Sequence, residues 1–224
     1  MSAALHLIYG GTFDPVHAGH LAIADAVWTA LDSAGAQPLR FDWLPNADPP
    51  HRDVPGASAG QRLALLQLAL LDDSRFCIDT RELDRGGPSW MIDTLRSLRA
   101  QLGPALPLVL LLGDDVWAGF DRWRQWRDIP ELAHVLVVDR PHHDAGELSA
   151  ELHALEASRH GVLADLCAAP AGRIVHLQVP AHPASATAVR AALAAGDSAL
   201  LHQWLPLKVM QAIEARALYR PTQG

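Results

Sequence analysis

Apolar runs and amphipathic stretches alternate along this chain, and each changeover carries a glycine, a proline or a capping residue. That rhythm predicts strand–helix–strand units, and with them an α/β fold on a parallel sheet. Strands are expected at Leu5–Tyr9, Arg40–Leu44, Phe76–Asp79, Leu108–Leu112, Val135–Asp139 and Ile174–Gln178. The run Leu108-Val109-Leu110-Leu111-Leu112 has no polar alternation, which marks a central strand covered on both faces. Between strands, Ile23, Val27, Ala30 and Leu31 share one helical stripe, and Leu63, Leu66 and Leu70 share another. Ser58 and Gln61 have capping-box spacing, so a helix should run from about 59 to 72. The segment from Glu147 to Ala168 is helical by composition and reads as an insertion between two strands. Ser185 is placed to cap a short helix ending near Gly196, and helical patterns continue to Tyr219. No repeat, linker or low-complexity tract interrupts the pattern, so residues 1–224 read as one domain whose part from 180 to 224 is helical.

Composition narrows the choice of partner. With 224 residues the chain can bury roughly 70% of its unfolded surface and needs neither disulfide nor metal to fold. Eighteen Lys+Arg against 25 Asp+Glu leave a formal charge of −7, which argues against non-specific capture of nucleic acid but allows a local phosphate pocket. No apolar run approaches the roughly 18 residues of a membrane span, and the first residues carry no basic leader. Cys77 and Cys167 lack metal or redox spacing and suit the reducing cytoplasm, with Cys77 expected in the core of its strand. A small-molecule partner is expected, and the pattern leaves self-association into a homo-oligomer open.

The chemistry concentrates at the first strand-to-helix turn, Gly10-Gly11-Thr12-Phe13-Asp14-Pro15-Val16-His17-Ala18-Gly19-His20. Glycines allow close backbone approach, and a helix start offers N–H groups with the positive end of its dipole, so phosphate belongs there. The turn is neither the G-x-G-x-x-G dinucleotide fingerprint nor a Walker A loop, since no G-K-[ST] follows. His17 and His20, three residues apart, can turn both rings toward one phosphate. Zinc is the competing use of such a pair, but His51 and His182 form no ligand-like cluster with it.

These residues resemble the (T/S)-x-x-H-x-G-H signature of the nucleotidyltransferase superfamily, in Thr12, His17, Gly19 and His20. Ser185-Ala186-Thr187-Ala188-Val189-Arg190 is similar to that superfamily's second motif, S-x-T-x-x-R, preceded here by Ala184 where a branched apolar residue is common. The resemblance implies a Rossmann-like doubly wound sheet and transfer of a nucleotidyl group with release of pyrophosphate. It assigns catalysis to His17, His20 and Arg190. ATP contacts would add Gly10, Gly11, Thr12, Phe13, Asp115, Arg140, Ser185 and Thr187.

Further segments resemble the bacterial nicotinate mononucleotide adenylyltransferases of NAD synthesis. They are Pro45–Arg52, Arg81–Ser89, Leu112–Asp115 with Trp123, Asp139–Pro141 and Ala217–Arg220. The implied acceptor is nicotinate mononucleotide, held by Thr12, His51, Arg52, Ser89, Trp90, Met91 and Trp123. Ser89 reads as an N-cap, so that main-chain amides after it meet the acid group. Trp90 and Met91 stand where the family more often has Tyr and Thr. Trp123 offers a stacking face, with Trp117 and Trp126 as rivals that can instead fill the core. Asp115 can accept from a ribose hydroxyl or cap a helix, Asp114 being equally eligible. Mg²⁺ is expected to enter with ATP, no carboxylate cluster resembling a metal cage. The alternatives are the same chemistry on nicotinamide mononucleotide, then on phosphopantetheine, or a non-catalytic nucleotide sensor.

Overall fold

The computed structural model describes residues 4–36, 38–47, 55–139 and 147–219. Its first half runs β1 (Leu5–Gly11), α1 (Ala18–Ser33), β2 (Pro38–Pro45), α2 (Ala59–Leu70), β3 (Phe76–Ile78), α3 (Arg81–Arg85), α4 (Met91–Leu102) and β4 (Leu108–Gly113). The second half continues with α5 (Asp114–Trp117), α6 (Ile129–Leu132), β5 (His134–Asp139), α7 (Ala150–Arg159), β6 (Ile174–Gln178), α8 (Ala186–Ala195), α9 (Ser198–Trp204) and α10 (Leu207–Ala215).

The six strands form one sheet in the order β3-β2-β1-β4-β5-β6, and every neighbouring pair is parallel. The chain winds outward from β1 to β3, then returns to place β4 beside β1 and winds the other way. That reversal leaves a crevice at the carboxyl ends of β1 and β4, where ligands bind in open parallel sheets.

Two apolar cores explain why the central strands lack alternation. On β4, Val109 and Leu111 join the face that packs α1, α2 and the C-terminal helices, through Val27, Leu66, Val189 and Val209. Leu108, Leu110 and Leu112 join the opposite face with Ile92, Leu95 and Trp117. Both sides of the strand lose water, so both must be apolar.

Asp42 is among the polar side chains buried inside this scaffold. Asp42 on β2 accepts from His6 at 2.7 Å and from Arg40 at 2.7 and 2.8 Å. Burial pulls its carboxyl up, but these hydrogen bonds prevail and hold it below the usual carboxylate range.

The periodicity holds with adjustments. Helix α2 stops at Leu70, and its buried stripe is Arg62, Leu65, Leu66 and Leu70, with Leu63 only half-buried. Ile23 is likewise half-buried and faces the crevice, while Ala24, Val27 and Leu31 form the packing stripe of α1. The segment 147–168 is the crossover that two adjacent parallel strands require, with α7 and a 3₁₀ turn anchored by fully buried Leu152 and Leu166. Cys77 lies on the edge strand β3 and is exposed, contrary to the core placement expected from its strand. An edge strand of three residues has only one covered face, and Cys77 points away from it.

Candidate active site

The crevice at the strand ends is a cleft of about 1420 Å³. Its first wall is the turn after β1. Phe13 adopts a left-handed φ of 48°, rare for a bulky residue, and its ring is 2% exposed. That ring packs on Tyr9, His20 and Trp43 at centroid distances of 5.6, 5.2 and 5.2 Å. A Cβ on Gly11 would stand 2.9 Å from it, and one on Gly10 would stand 3.2 Å from Met91 Cε. The two glycines therefore serve local packing as well as keeping the strand end open toward the cleft.

His17 occupies the N-cap of α1 in extended conformation, and its backbone N–H donates to His20 Nδ1 at 3.3 Å. The imidazoles stack with centroids 3.7 Å apart and planes 29° apart. His17 is 5% exposed, yet both rings line the cleft. Gly19 lets the second motif come close, because a Cβ there would lie 2.8 Å from the carbonyl oxygen of Ala184.

The second motif forms the facing wall. Ser185 caps α8, its hydroxyl accepting the Ala188 N–H at 3.1 Å, and Thr187 and Arg190 follow along the helix. Arg190 donates from Nη1 to the Asp14 carbonyl at 2.7 Å and lies 3.5 Å from Thr187 Oγ1 through Nη2. All three line the same cleft as His17 and His20. Two imidazoles and a guanidinium from opposite ends of the chain thus converge on one space, which can stabilise charge spread over a polyphosphate.

Two residues outside the expected set hold the first wall. Arg62, 1% exposed, donates to the Thr12 carbonyl at 2.6 Å and to the carbonyls of Asn46 and Ala47 at 2.8 and 3.1 Å. Asn46 in turn donates from Nδ2 to Thr12 Oγ1 at 3.2 Å. The signal for Arg62 was its spacing: it lies four residues before Leu66 and eight before Leu70, on the buried stripe. Asp14 is the other, a 5% exposed carboxylate inside the first motif.

At the other end of the cleft stand Ser89, Trp90, Met91 and Trp123. Ser89 is not the cap of α4. Trp90 takes that position, and Ser89 Oγ instead accepts the Ala47 N–H at 2.9 Å, tying the turn to β2. The backbone enters α4 one residue later than the Pro-Ser pattern suggested, because Ser89 is claimed by this long-range bond. Glu82 also lines the cleft and accepts from Thr94 Oγ1 at 2.6 Å, and burial pushes its carboxyl above the usual range. Trp123 is half-buried and faces the cleft, whereas Trp117 and Trp126 are buried in the core. Arg122 and Arg124, which no motif marks, add positive charge to the cleft, Arg124 lying 5.6 Å from the Trp90 ring centre.

Asp115 is exposed at the cleft edge, while Asp114 is buried and accepts the Asp115 N–H at 2.9 Å. Gly113 takes the cap position of α5 that either aspartate was eligible for. His182 lines the cleft too, and among the described residues no group of three or more His, Cys, Asp or Glu is arranged to hold a metal. His51, Arg52 and Arg140 lie outside the described residues.

A six-stranded parallel sheet with a paired-histidine turn at its switch point defines a nucleotidyltransferase fold, and residues 8–192 match the family described as cytidylyltransferase-like, to which this chain belongs. Full-length relatives place it more narrowly. It is 43% identical over 223 residues to a probable nicotinate-nucleotide adenylyltransferase of Marinobacter nauticus, covering 98% of this chain and 100% of that one. It is 45% identical to a protein of the same name in Stenotrophomonas maltophilia, covering 97% of each. The chain is a member of the nicotinate-nucleotide adenylyltransferase family. Its fold also matches that of the Plasmodium falciparum nicotinic acid mononucleotide adenylyltransferase complexed with NaAD, with a TM-score of 0.71 at 14% identity over 96% of this chain and 97% of that one.

Proposed function

We propose that this protein transfers AMP from ATP to nicotinate mononucleotide, producing deamido-NAD and pyrophosphate. The observation that carries the proposal is the shared cleft of His17, His20, Thr187 and Arg190, four donor-bearing side chains from both motifs. The acceptor's phosphate oxygen attacks the α-phosphorus in line, the bond from that phosphorus to the bridging oxygen breaks, and pyrophosphate leaves. His17, His20 and Arg190 stabilise the charge that develops on the leaving group, and no protein nucleophile is needed. Gly10, Gly11, Thr12 and Phe13 shape the phosphate side, with Ser185 and Thr187 opposite, and Asp115 is placed to accept from a ribose hydroxyl.

On the acceptor side, Trp123 offers its face to the pyridine ring, and the first N–H groups of α4, at Met91 and Ile92, suit a carboxylate. His51, Arg52 and Arg140 keep the roles their motifs imply, acceptor phosphate for the first two and ATP for the third. Of the described carboxylates in the cleft, Asp14 is already engaged and Glu82 and Asp115 do not form a cage. Mg²⁺ therefore belongs with the nucleotide's own phosphates. The scarcity of cysteine, two residues in the whole chain and neither in metal or redox spacing, supports a cytoplasmic enzyme of small molecules.

Pyrophosphate release is to be measured with ATP and either the acid or the amide mononucleotide, for the parent, His20→Ala and Met91→Thr. The acid should be preferred, and His20→Ala should lower kcat by about 10²-fold, the scale of losing one preorganised donor. Preference for the amide overturns the acceptor assignment, and near-normal turnover of His20→Ala removes that residue from the chemistry. Met91→Thr should leave the preference for the acid in place, since main-chain amides supply the recognition.

A further inference from the structure

The C-terminal segment after α10 sets a side chain that neither motif contains against two residues lining the cleft, Gly56 and Asp14. Ala217 and Tyr219 adopt left-handed backbone with φ of 52° and 60°, and Leu218 between them is buried. This path carries the Tyr219 ring against Gly56, where a Cβ would stand 3.0 Å from the ring. Its hydroxyl donates to Asp14 Oδ1 at 2.7 Å.

Asp14 has several claimants. Oδ1 also accepts the Ala57 N–H at 3.2 Å, and Oδ2 accepts the Gly56 N–H at 2.7 Å. Arg190 reaches the Asp14 carbonyl at 2.7 Å but stands 3.6 Å from Oδ2, too long for a hydrogen bond. Burial, and then the adjoining carboxylate, push the Tyr219 hydroxyl far above its ordinary pKa, so it remains a donor. Two amides and the phenol fix the carboxylate so that it meets Arg190 only as a 3.6 Å ion pair through Oδ2. Stripped of the phenol, it would draw Arg190 into a paired, bidentate contact and away from the cleft.

We propose that Tyr219 is a positioning residue for Arg190: its hydroxyl occupies Asp14, so that the guanidinium hangs from a backbone carbonyl and keeps its remaining N–H groups for the nucleotide's phosphates. This rests on the reading that Arg190 meets those phosphates. It gives the C-terminal segment a part in ATP binding and none in acceptor binding.

The test is Tyr219→Phe in the full chain, which keeps the ring against Gly56 and removes only the donor. ATP and nicotinate mononucleotide affinities are measured separately by calorimetry, with kcat from pyrophosphate release. ATP affinity should fall by about 5-fold, the scale of one net hydrogen bond, with acceptor affinity within about twofold of the parent. In an Arg190→Ala background the same substitution should cost nothing further, since the two residues act as one unit. Gly56→Ala is a second route, because its Cβ would stand 3.0 Å from the Tyr219 ring and press the intact phenol off Asp14 while meeting Arg190 Cδ only at an ordinary 3.5 Å, and it should reproduce the selective loss. A structural defect would lower the active fraction without changing the ratio of the two affinities. Equal losses for ATP and acceptor, or a Tyr219→Phe penalty that persists without Arg190, would overturn the proposal. Absence of turnover with the acid in the parent would refute the acceptor assignment instead, and the ATP-binding cycle would still decide the role of Tyr219.

Discussion

Arg62→Lys isolates what a rigid fork does that a point charge cannot. The guanidinium is 1% exposed and makes four contacts, to the Thr12 carbonyl, the Asn46 carbonyl, the Asn46 side-chain oxygen and the Ala47 carbonyl, at 2.6, 2.8, 3.3 and 3.1 Å. They span two loops, one at the end of β1 and one at the end of β2. Desolvation already lowers the Arg62 pKa, so the charge stays buried only because these acceptors surround it. A lysine ammonium reaches one loop and releases the other. Losing two charge-assisted hydrogen bonds, at about 1.5–3 kcal/mol each, costs at least about 3 kcal/mol. In a chain of this size that lowers Tm by about 6–12 °C. Thr12 and the strand leading to the acceptor loop then lose their fixed position, so KM for the acceptor should rise by about 10-fold while KM for ATP changes less, misplacement being felt where the clamp acts. Thermal melts and initial-rate pyrophosphate assays read both effects. A variant that melts within about 2 °C of the parent with unchanged acceptor KM would refute the view that this fork holds the site together.

Two further expectations follow from single contacts. Gly19→Ala gains helix propensity but places a Cβ 2.8 Å from the Ala184 carbonyl oxygen and 3.0 Å from His17 Nδ1, so crowding should win by about 1–3 kcal/mol. Lower kcat with a lower Tm is expected, and parental values of both would show that the two motifs do not meet at this glycine. His176 bridges Asp139, at 3.0 Å, and Glu156; burial lowers its pKa but these carboxylates prevail and raise it. The stabilisation is therefore complete below about pH 6.5 and is lost as pH rises through the raised folded-state value. Denaturant titrations should show that decline, and His176→Gln should remove it; a parental pH slope in the variant would exclude His176 as its source.

Much of this site was visible in the order of residues because its parts are local. A glycine-rich turn between a strand and a helix, with histidines three apart, needs only a few neighbouring dihedral angles to bring its groups together, and Ser185 caps its helix as its spacing predicts. Where local rules misled, a distant partner intervened: Ser89 leaves the cap of α4 because Ala47 claims its hydroxyl, and Cys77 is exposed because β3 ends the sheet. The resemblance favoured Trp123 over Trp117 and Trp126, and in the structure it is the one of the three rings that its core leaves half-buried and facing the cleft.

Hydrophobic periodicity and capping residues alone determined that this chain builds strand–helix units on a parallel sheet with a phosphate-suited first turn, and the resemblance of its two motifs implied the doubly wound order. Those signals act over a few residues, so they survive without knowledge of the fold. The tertiary structure decided that Asp14 lines the cleft and that Arg62 and Tyr219 brace its wall from behind, at Thr12 and Asp14. Asp14 and Tyr219 stand 205 positions apart in the chain, and no spacing rule couples a carboxylate and a phenol over that distance until the sheet and its C-terminal helices bring them to 2.7 Å.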